Sequence, residues 1–415
     1  MLRVLLLENV HPVASEILRK AGFEVEVRSG ALDEAELIEA LDGVQVLGIR
    51  SKTTVTRKVI EACPQLQAIG TFSIGTNQID LAAAAAYGVA VFNAPYSNTR
   101  SVVELALSEI ISLTRRLPVR DKSLHDGVWD KTAEGAHEVR GRTLGIIGYG
   151  NIGSQLSVLA ENLGMRVVFY DVQEKLALGN AHRAETLEEL LEVSDAVTLH
   201  VDGRPGNAGF FGPDLFQHMK PGAIFLNLSR GFVVDVDALR AGIESGHLAG
   251  AAIDVFPTEP KKRGEHFDSP LRGLPNVILT PHVGGSTEEA QEAIGGFVAG
   301  KLRDYLNTGS TMLSVNLPNL QLAATGVGRI MVLHATCPGF SPRSTRCSPS
   351  TEPISRARCS PHAARSATWS PTSRTSPTAG RRRSSWRWRR RSGCGSATRS
   401  TAPSSLPGPR PAPES

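Results

Sequence analysis

The stretch that decides the fold runs from Arg142 to Asp171 and reads RTLGIIGYGNIGSQLSVLAENLGMRVVFYD. Leu144 to Ile147 is a short apolar run of the kind that forms a buried parallel strand. Gly148-Tyr149-Gly150-Asn151-Ile152-Gly153 then turns the chain into a helix carrying Ile152, Leu156, Leu159, Ala160 and Leu163 at helical spacing. In such a turn Gly148 permits the sharp bend, Gly150 removes the Cβ that would hold a pyrophosphate off the backbone, and Gly153 lets the helix lie close on the strand. Unpaired N–H groups and the positive end of the helix dipole complete a phosphate site. Met165 to Tyr170 is a second strand, ending at Asp171, eighteen residues past Gly153. A carboxylate there accepts both ribose hydroxyls of NAD and repels the 2′-phosphate of NADP. A GxGxxG alone also occurs by chance in a chain with 40 glycines, where it marks only a flexible bend. The strand before it, the helix after it and the acid at this distance favour a nucleotide, and the expected cofactor is NAD.

The same alternation extends in both directions. LRVLLL (2–7), FEVEV (23–27), 44–49 and 66–71 read as strands, with helical stretches at about 11–21 and 35–41 between them. Short β and α units in alternation imply a doubly wound parallel sheet, whose ligand loops lie beyond the strands' C-terminal ends, where Arg50, Lys52 and the loop Ile74-Gly75 fall. Residues 89–92 close this lobe, Asn93-Ala94-Pro95-Tyr96 makes the crossing, and a long helix from Asn98 to Arg116 bridges towards the glycine motif. Strands at 197–201, 223–228, 249–255 and 277–279 follow, giving six for a nucleotide-binding sheet. A final helix (286–307) and a short strand (313–317) return to the first lobe. The expected architecture is α/β with two Rossmann-like sheets. The substrate domain is discontinuous (1–96 and 286–326), the NAD domain spans 97–285, a strand remnant occupies 327–336, and a disordered tail spans 337–415.

The bulk numbers are those of a soluble protein of two or three domains: 415 residues, 41% hydrophobic and 21% charged. No run reaches the roughly 18 apolar residues a membrane span needs, and the N-terminus lacks the pattern of a signal peptide, so a cytoplasmic location is expected. The net charge of +4 conceals two unlike parts. Residues 337–415 hold 15 Arg, no Lys and two Glu, a balance of +13, which leaves −9 for residues 1–336. Four of the five cysteines also lie in that segment, so the body carries only Cys63, read as a buried thiol in a reducing compartment. Nothing points to a metal.

Three polar residues stand at strand ends of the nucleotide lobe: Arg230 in NLSRG, Glu259 in DVFPTEP and His282 in LTPHVGGST. Hydride transfer from an alcohol carbon needs a group that takes the hydroxyl proton, and a histidine titrating near neutrality suits it. A carboxylate on the other ring nitrogen, assigned to Glu259, fixes the tautomer and stabilises the imidazolium. Arg230 offers a planar fork for a substrate carboxylate. Taken singly each of these is more often a solvated or structural group; their joint occurrence at strand ends favours chemistry. Asp254 is either an N-cap or a partner of the nicotinamide carboxamide, and the second reading is preferred. Arg50 and Lys52 are by default exposed cations, promoted only by an anionic substrate.

NTRSVVELAL, GIIGYGNIG, SRG, DVFPTEP and TPHVGGST together resemble the D-isomer-specific 2-hydroxyacid dehydrogenase family over roughly residues 1–336. FSIGTNQIDL and GVWDK bring the chain nearest to members that oxidise 3-phospho-D-glycerate to 3-phosphohydroxypyruvate at the entry to L-serine synthesis. The resemblance implies NAD contacts from Gly148, Gly150, Asn151, Ile152, Gly153, Asp171, Leu228, Ser229, Arg230, Asp254, His282, Val283, Gly284 and Gly285. It implies substrate contacts from Arg50, Lys52, Ile74, Gly75 and Asn98, with Trp129 and Lys131 lent by a neighbouring subunit of a homodimer. Two other functions stay open: reduction of another 2-oxo acid such as glyoxylate or 2-oxoglutarate, and an NAD-sensing corepressor-like binding role. Arg50 and Lys52 beside the Gly75 loop favour a phosphorylated acid.

The sequence departs from that family twice. Val201-Asp202-Gly203-Arg204-Pro205 stands where the family has a Val-Pro turn. After Arg329 to His334, which resembles the first strand of the family's serine-sensing C-terminal domain, the pattern stops at Thr336. The 79 residues that follow include 18 Ser, 15 Arg and 12 Pro, a composition that buries no core and resembles a GC-rich gene read in the wrong frame. An Arg-rich arm with Trp386 and Trp388 as stacking groups for nucleic acid is the competing reading; no specific nucleic-acid role is expected. Loss of the domain implies an enzyme that pairs as a dimer and ignores L-serine.

Overall fold

The computed structural model describes residues 1–260 and 264–321, with the backbone of two later strands, Arg329–Ala335 and Arg365–Pro371. It divides into two units, Met1–Asn319 and Leu320–Ser415.

The first unit holds two parallel sheets flanked by helices, as expected from the alternating pattern. In the first, β1 (Arg3–Leu6), β2 (Glu24–Val27), β3 (Val46–Ile49), β4 (Ala68–Thr71) and β5 (Ala90–Phe92) lie in the order β2-β1-β3-β4-β5. The connecting helices are α1 (Pro12–Lys20), α2 (Glu34–Ala40), α3 (Arg57–Ala62) and α4 (Leu81–Ala86). Three of them begin where an Asp or Thr side chain accepts a first-turn N–H: Asp33 from Glu36, Thr56 from Val59, Asp80 from Ala83. Cys63 is buried in the core of this sheet.

Two helices follow, α5 (Thr99–Thr114) and α6 (Leu117–His125). The single helix expected to Arg116 breaks there because Arg116 is left-handed, with φ of 55°, and Pro118 starts the next helix. The second sheet holds β6 (Thr143–Ile147), β7 (Arg166–Tyr170), β8 (His182–Arg183), β9 (Ala196–Leu199), β10 (Ala223–Asn227), β11 (Leu248–Ile253) and β12 (Val277–Leu279). Its helices are α7 (Asn151–Asn162), α8 (Leu187–Val193), α9 (Pro213–His218) and α10 (Val236–Glu244). The order is β12-β11-β10-β9-β6-β7-β8, every pairing parallel, so the direction of winding reverses between β6 and β9. A crevice forms where such a reversal occurs, and ligands bind there. The seventh strand, β8, is two residues long and carries no periodic signal of its own.

The last helix, α11 (Glu288–Thr308), returns to the first sheet. Its Val298 and Leu302 pack over Gly70 of β4, Gly295 lies against Val13, and the Tyr305 ring lies tilted by 56° against Phe92 with centroids 5.6 Å apart. The strand expected at 313–317 is a single bridge between Ser314 and Phe92. Leu313 turns left-handed (φ 66°), and the Asn316 side chain takes the ladder's place, accepting from Val91 N–H and donating to the Val89 carbonyl.

In the second unit β13 (Arg329–Ala335) pairs antiparallel with β14 (Arg365–Pro371). The sequence reading left the first of these without a partner. Composition speaks to whether a segment can bury a core, whereas a ladder needs only backbone N–H and C=O groups, which is why the pairing was not legible. The rest of the stretch read as tail lies outside the described residues. Among the described residues no helix is long and apolar enough to cross a membrane.

Phe225 of β10 is fully buried, with ring centroids 4.8 and 5.1 Å from those of Phe211 and Phe216. Phe225→Ala is expected to cost about 3–5 kcal/mol of stability through lost transfer energy and the cavity left behind. A urea unfolding midpoint unchanged from wild type would show that this cluster does not hold the strand leading to Arg230.

Candidate active site

At the end of β6, Gly148 adopts φ of +94°, and the backbone of His200 and Val201 stands where a Cβ would go. No side chain other than glycine's fits that turn without strain. Gly150 faces open space, and α7 begins on it with no side-chain cap, so the first N–H groups of the helix stay available. This open cradle is what a pyrophosphate requires, so the residues present fit NAD. Asp171, half-buried at the end of β7, accepts from Tyr149 N–H through Oδ2 and from Gln173 N–H through Oδ1, both at 2.9 Å. Each oxygen keeps a lone pair for a ribose hydroxyl.

The turn after β10 carries Leu228, Ser229 and Arg230. Asn227, 1% exposed, organises it: Oδ1 accepts from Ser229 N–H and hydroxyl at 3.0 and 2.8 Å, and Nδ2 donates to the Arg230 carbonyl at 3.0 Å. Gly231 then meets the backbone of Phe256 so closely that a Cβ would collide with it. This approach brings the SRG turn beside the loop that carries Glu259.

Glu259 and His282 form the pair expected. Nδ1 of the ring lies 2.9 Å from Oε2 and 3.2 Å from Oε1, and Phe256 N–H donates to Oε1 at 3.1 Å. With Nδ1–H donating, Nε2 is the basic nitrogen, and no described residue bonds to it. The hydrogen bond to Glu259 holds the His282 pKa above the ordinary histidine value, against burial and the charge of Arg230. Burial pushes the Glu259 carboxyl up, but the His282 hydrogen bond and charge, the Phe256 N–H and Arg230 together bring it below its usual range.

Asp254 directly follows β11. It caps no helix, and its carboxylate, 1% exposed, accepts from Thr280 Oγ1 at 2.6 Å and from Val283 and Gly284 N–H at 2.8 Å each. It clamps the segment that carries His282, whose backbone sits left-handed at φ 54°. Glu109 of α5 is buried nearby, and burial first, then the charge of Asp254, raise its pKa to about 8. It is therefore protonated at neutral pH. Asn98 packs against Gly285, where its Nδ2 occupies the space of a Cβ.

In the first sheet, Arg50 and Lys52 follow β3 and the Gly75 loop follows β4. Glu8, one turn beyond β1, accepts from Lys52 and Thr53 N–H at 2.9 and 2.8 Å. Gln78 donates to the Arg50 carbonyl at 2.5 Å and to Thr71 Oγ1 at 2.7 Å, while Asn93 donates to the Ile74 carbonyl at 2.7 Å. These holders were missed by sequence reasoning; the signal available was only a polar residue just past a strand. The loop reaches the other lobe: a Cβ on Gly75 would stand 3.7 Å from Nη2 of Arg230. Trp129 and Lys131 lie exposed in the segment after α6.

Residues 107–284 match the model of the D-isomer specific 2-hydroxyacid dehydrogenase NAD binding domain. The chain is 51% identical over 339 residues to D-3-phosphoglycerate dehydrogenase of Escherichia coli, covering 81% of this chain and 83% of that protein. The chain belongs to the D-isomer specific 2-hydroxyacid dehydrogenases. Within that family it is also 48% identical to D-3-phosphoglycerate dehydrogenase 2 of Saccharomyces cerevisiae, over 81% of this chain and 75% of the relative. Among solved structures, D-2-hydroxyisocaproate dehydrogenase superposes with a TM-score of 0.68 at 26% identity, covering 76% of this chain and all of the other. D-lactate dehydrogenase from Aquifex aeolicus, complexed with NAD and lactic acid, gives 0.65 at 26%, with the same coverage. The 2-hydroxyacid dehydrogenase family thus sets the cofactor as NAD and the chain as an oxidoreductase.

The paired shifts fix a pH window. A raised histidine pKa contributes stability that is full below the unfolded value and lost as pH rises through the folded one; the lowered Glu259 pKa contributes above the ordinary carboxylate value and is lost as pH falls through its own. The pair is therefore strongest between those limits. An NMR titration of His282 is expected to show a pKa above the ordinary histidine value in wild type and a lower one in Glu259→Gln. Equal values in the two proteins would contradict the pairing.

Proposed function

We propose that this chain oxidises 3-phospho-D-glycerate to 3-phosphohydroxypyruvate with NAD, the first step of L-serine biosynthesis. The observation that carries the reading is the meeting, across one cleft, of the Glu259–His282 pair, Arg230 and the Gly75 loop with its neighbouring cations. Relatives named D-3-phosphoglycerate dehydrogenase at about half identity support the choice of substrate.

NAD, when bound, supplies the hydride acceptor. His282 Nε2 takes the hydroxyl proton as the C–H bond breaks, and Glu259 stabilises the imidazolium that results. Arg230 pairs with the substrate carboxylate and polarises the forming carbonyl. Arg50 and Lys52, held on their loop by Glu8, Gln78 and Thr71, face the phosphate. Gly148, Gly150, Asn151, Ile152 and Gly153 cradle the pyrophosphate, Asp171 holds the ribose, and Leu228, Ser229, Val283, Gly284 and Gly285 line the nicotinamide side. Residues 1–96 and 286–326 form the substrate domain and 97–285 the NAD domain. A homodimer, in which Trp129 and Lys131 of one copy serve the other, completes the assembly, and a cytoplasmic location follows from the substrate.

His282→Ala is expected to lower turnover of 3-phospho-D-glycerate by about 10²–10⁴-fold with NADH binding unchanged, the range general acid–base catalysis supplies. Following NADH absorbance on the wild type checks the reading itself. Absence of turnover with this acid, alongside reduction of glyoxylate or 2-oxoglutarate, would overturn the assigned substrate while leaving the chemistry.

A further inference from the structure

The loop Val201 to Pro205 leaves β9 at the point where the strand order reverses, in the crevice itself. Gly203 lies against the catalytic arginine: a Cβ there would stand 3.2 Å from Arg230 Nε, 3.4 Å from Cγ and 3.6 Å from Cδ. With Gly75 near Nη2 on the other lobe, the guanidinium runs between two residues without side chains. Beside Gly203, Asp202 is gripped by Arg204, whose Nε and Nη2 donate to Oδ1 and Oδ2 at 2.7 and 2.5 Å. Arg204 N–H and Asn207 Nδ2 add bonds to Oδ1 at 3.3 and 3.0 Å. Donors of its own loop thus hold Asp202 away from a direct bond to Arg230, whose Nη1 donates to the Ser229 carbonyl at 2.6 Å. Charges alternate along the cleft from the substrate end to the ribose end: Arg230, Asp202, Arg204, Asp171. Consistent with that row, the charge of Arg230 reaches the Asp202 carboxyl and that of Asp171 reaches Arg204.

We propose that Asp202 and Arg204 are positioning residues that set how much of the Arg230 charge the substrate carboxylate meets, with Gly203 providing the room that keeps Arg230 in place. This rests on the dehydrogenase reading above. Asp202 acts as a partial counter-ion to Arg230, and Arg204 limits it by competing for the same carboxylate. The pair is more than half exposed, so its contribution to stability is small, and substitutions there act on binding rather than folding.

The two substitutions therefore have opposite signs, which a merely structural loop would not produce. Steady-state kinetics on the full chain, with NAD saturating, should give Arg204→Ala a KM for 3-phospho-D-glycerate raised about fivefold, because a freed Asp202 swings onto Arg230. Asp202→Asn should lower that KM about twofold, and the double variant should follow Asp202→Asn, since Arg204 acts only through Asp202. Arg204→Lys should restore part of the loss, and Gly203→Ala should raise KM by pressing on the Arg230 stem. The thermal midpoint should stay near wild type throughout. KM moving the same way in Arg204→Ala and Asp202→Asn, or staying within experimental error in both, overturns the proposal while an active wild type leaves the functional reading standing. A wild type inert towards 3-phospho-D-glycerate overturns that reading, and this one with it.

Discussion

A carboxylate withdrawn from water must be met by donors, and the site depends on how Asp254 meets that demand. Its two oxygens accept from a threonine hydroxyl and two successive backbone N–H groups, all from the segment 280–284. Charge-assisted bonds of this kind are about twice as strong as neutral ones, and leaving such a carboxylate unpaired would be strongly destabilising. The segment is thus fixed to the end of β11, and His282 stands left-handed at its centre with the ring presented to Glu259. A left-handed non-glycine residue costs free energy and persists only where its surroundings over-determine it. Here the surroundings are the Asp254 clamp on one side and the Glu259 bond on the other.

The same logic governs Arg230. Asn227 buries its amide to shape the SRG turn, and Gly231 lets the Phe256 backbone close in, so that arginine, glutamate and histidine converge from three strand ends. Their electrostatics are mutual. Glu259 raises the histidine and is itself lowered by it, while Arg230 lowers both. The histidine is thereby tuned by two neighbours of opposite sign, each held by backbone contacts and not by chance proximity on a surface. Across the cleft, Glu8, Gln78 and Asn93 do for the loops after β3 and β4 what Asp254 and Asn227 do in the other lobe.

Much of this was legible in the chain. Parallel strands announce themselves as apolar runs, so the placement of Gly148 to Gly153, Asp171, Arg230, Glu259 and His282 just beyond strand ends could be read from pattern alone. The holders could not. Glu8 binds N–H groups 44 and 45 residues away, and Asp254 binds others 29 and 30 away; nothing local distinguishes such a residue from a solvated acid. Short irregular pieces were also hidden: β8 has two residues, and the expected strand at 313–317 gave way to a side chain, Asn316, doing the work of a ladder. The break at Arg116 had a visible cause in Pro118, but the apolar spacing continued across it.

On the proposed mechanism the hydride passes directly from the substrate carbon to the cofactor while His282 takes the proton to solvent. Oxidation of 3-phospho-D-glycerate carrying deuterium at C2, followed by mass spectrometry of the reduced cofactor and of the water, separates those two fates. Direct transfer places the deuterium at the nicotinamide of NADH and leaves none in solvent. Deuterium released to water would contradict it.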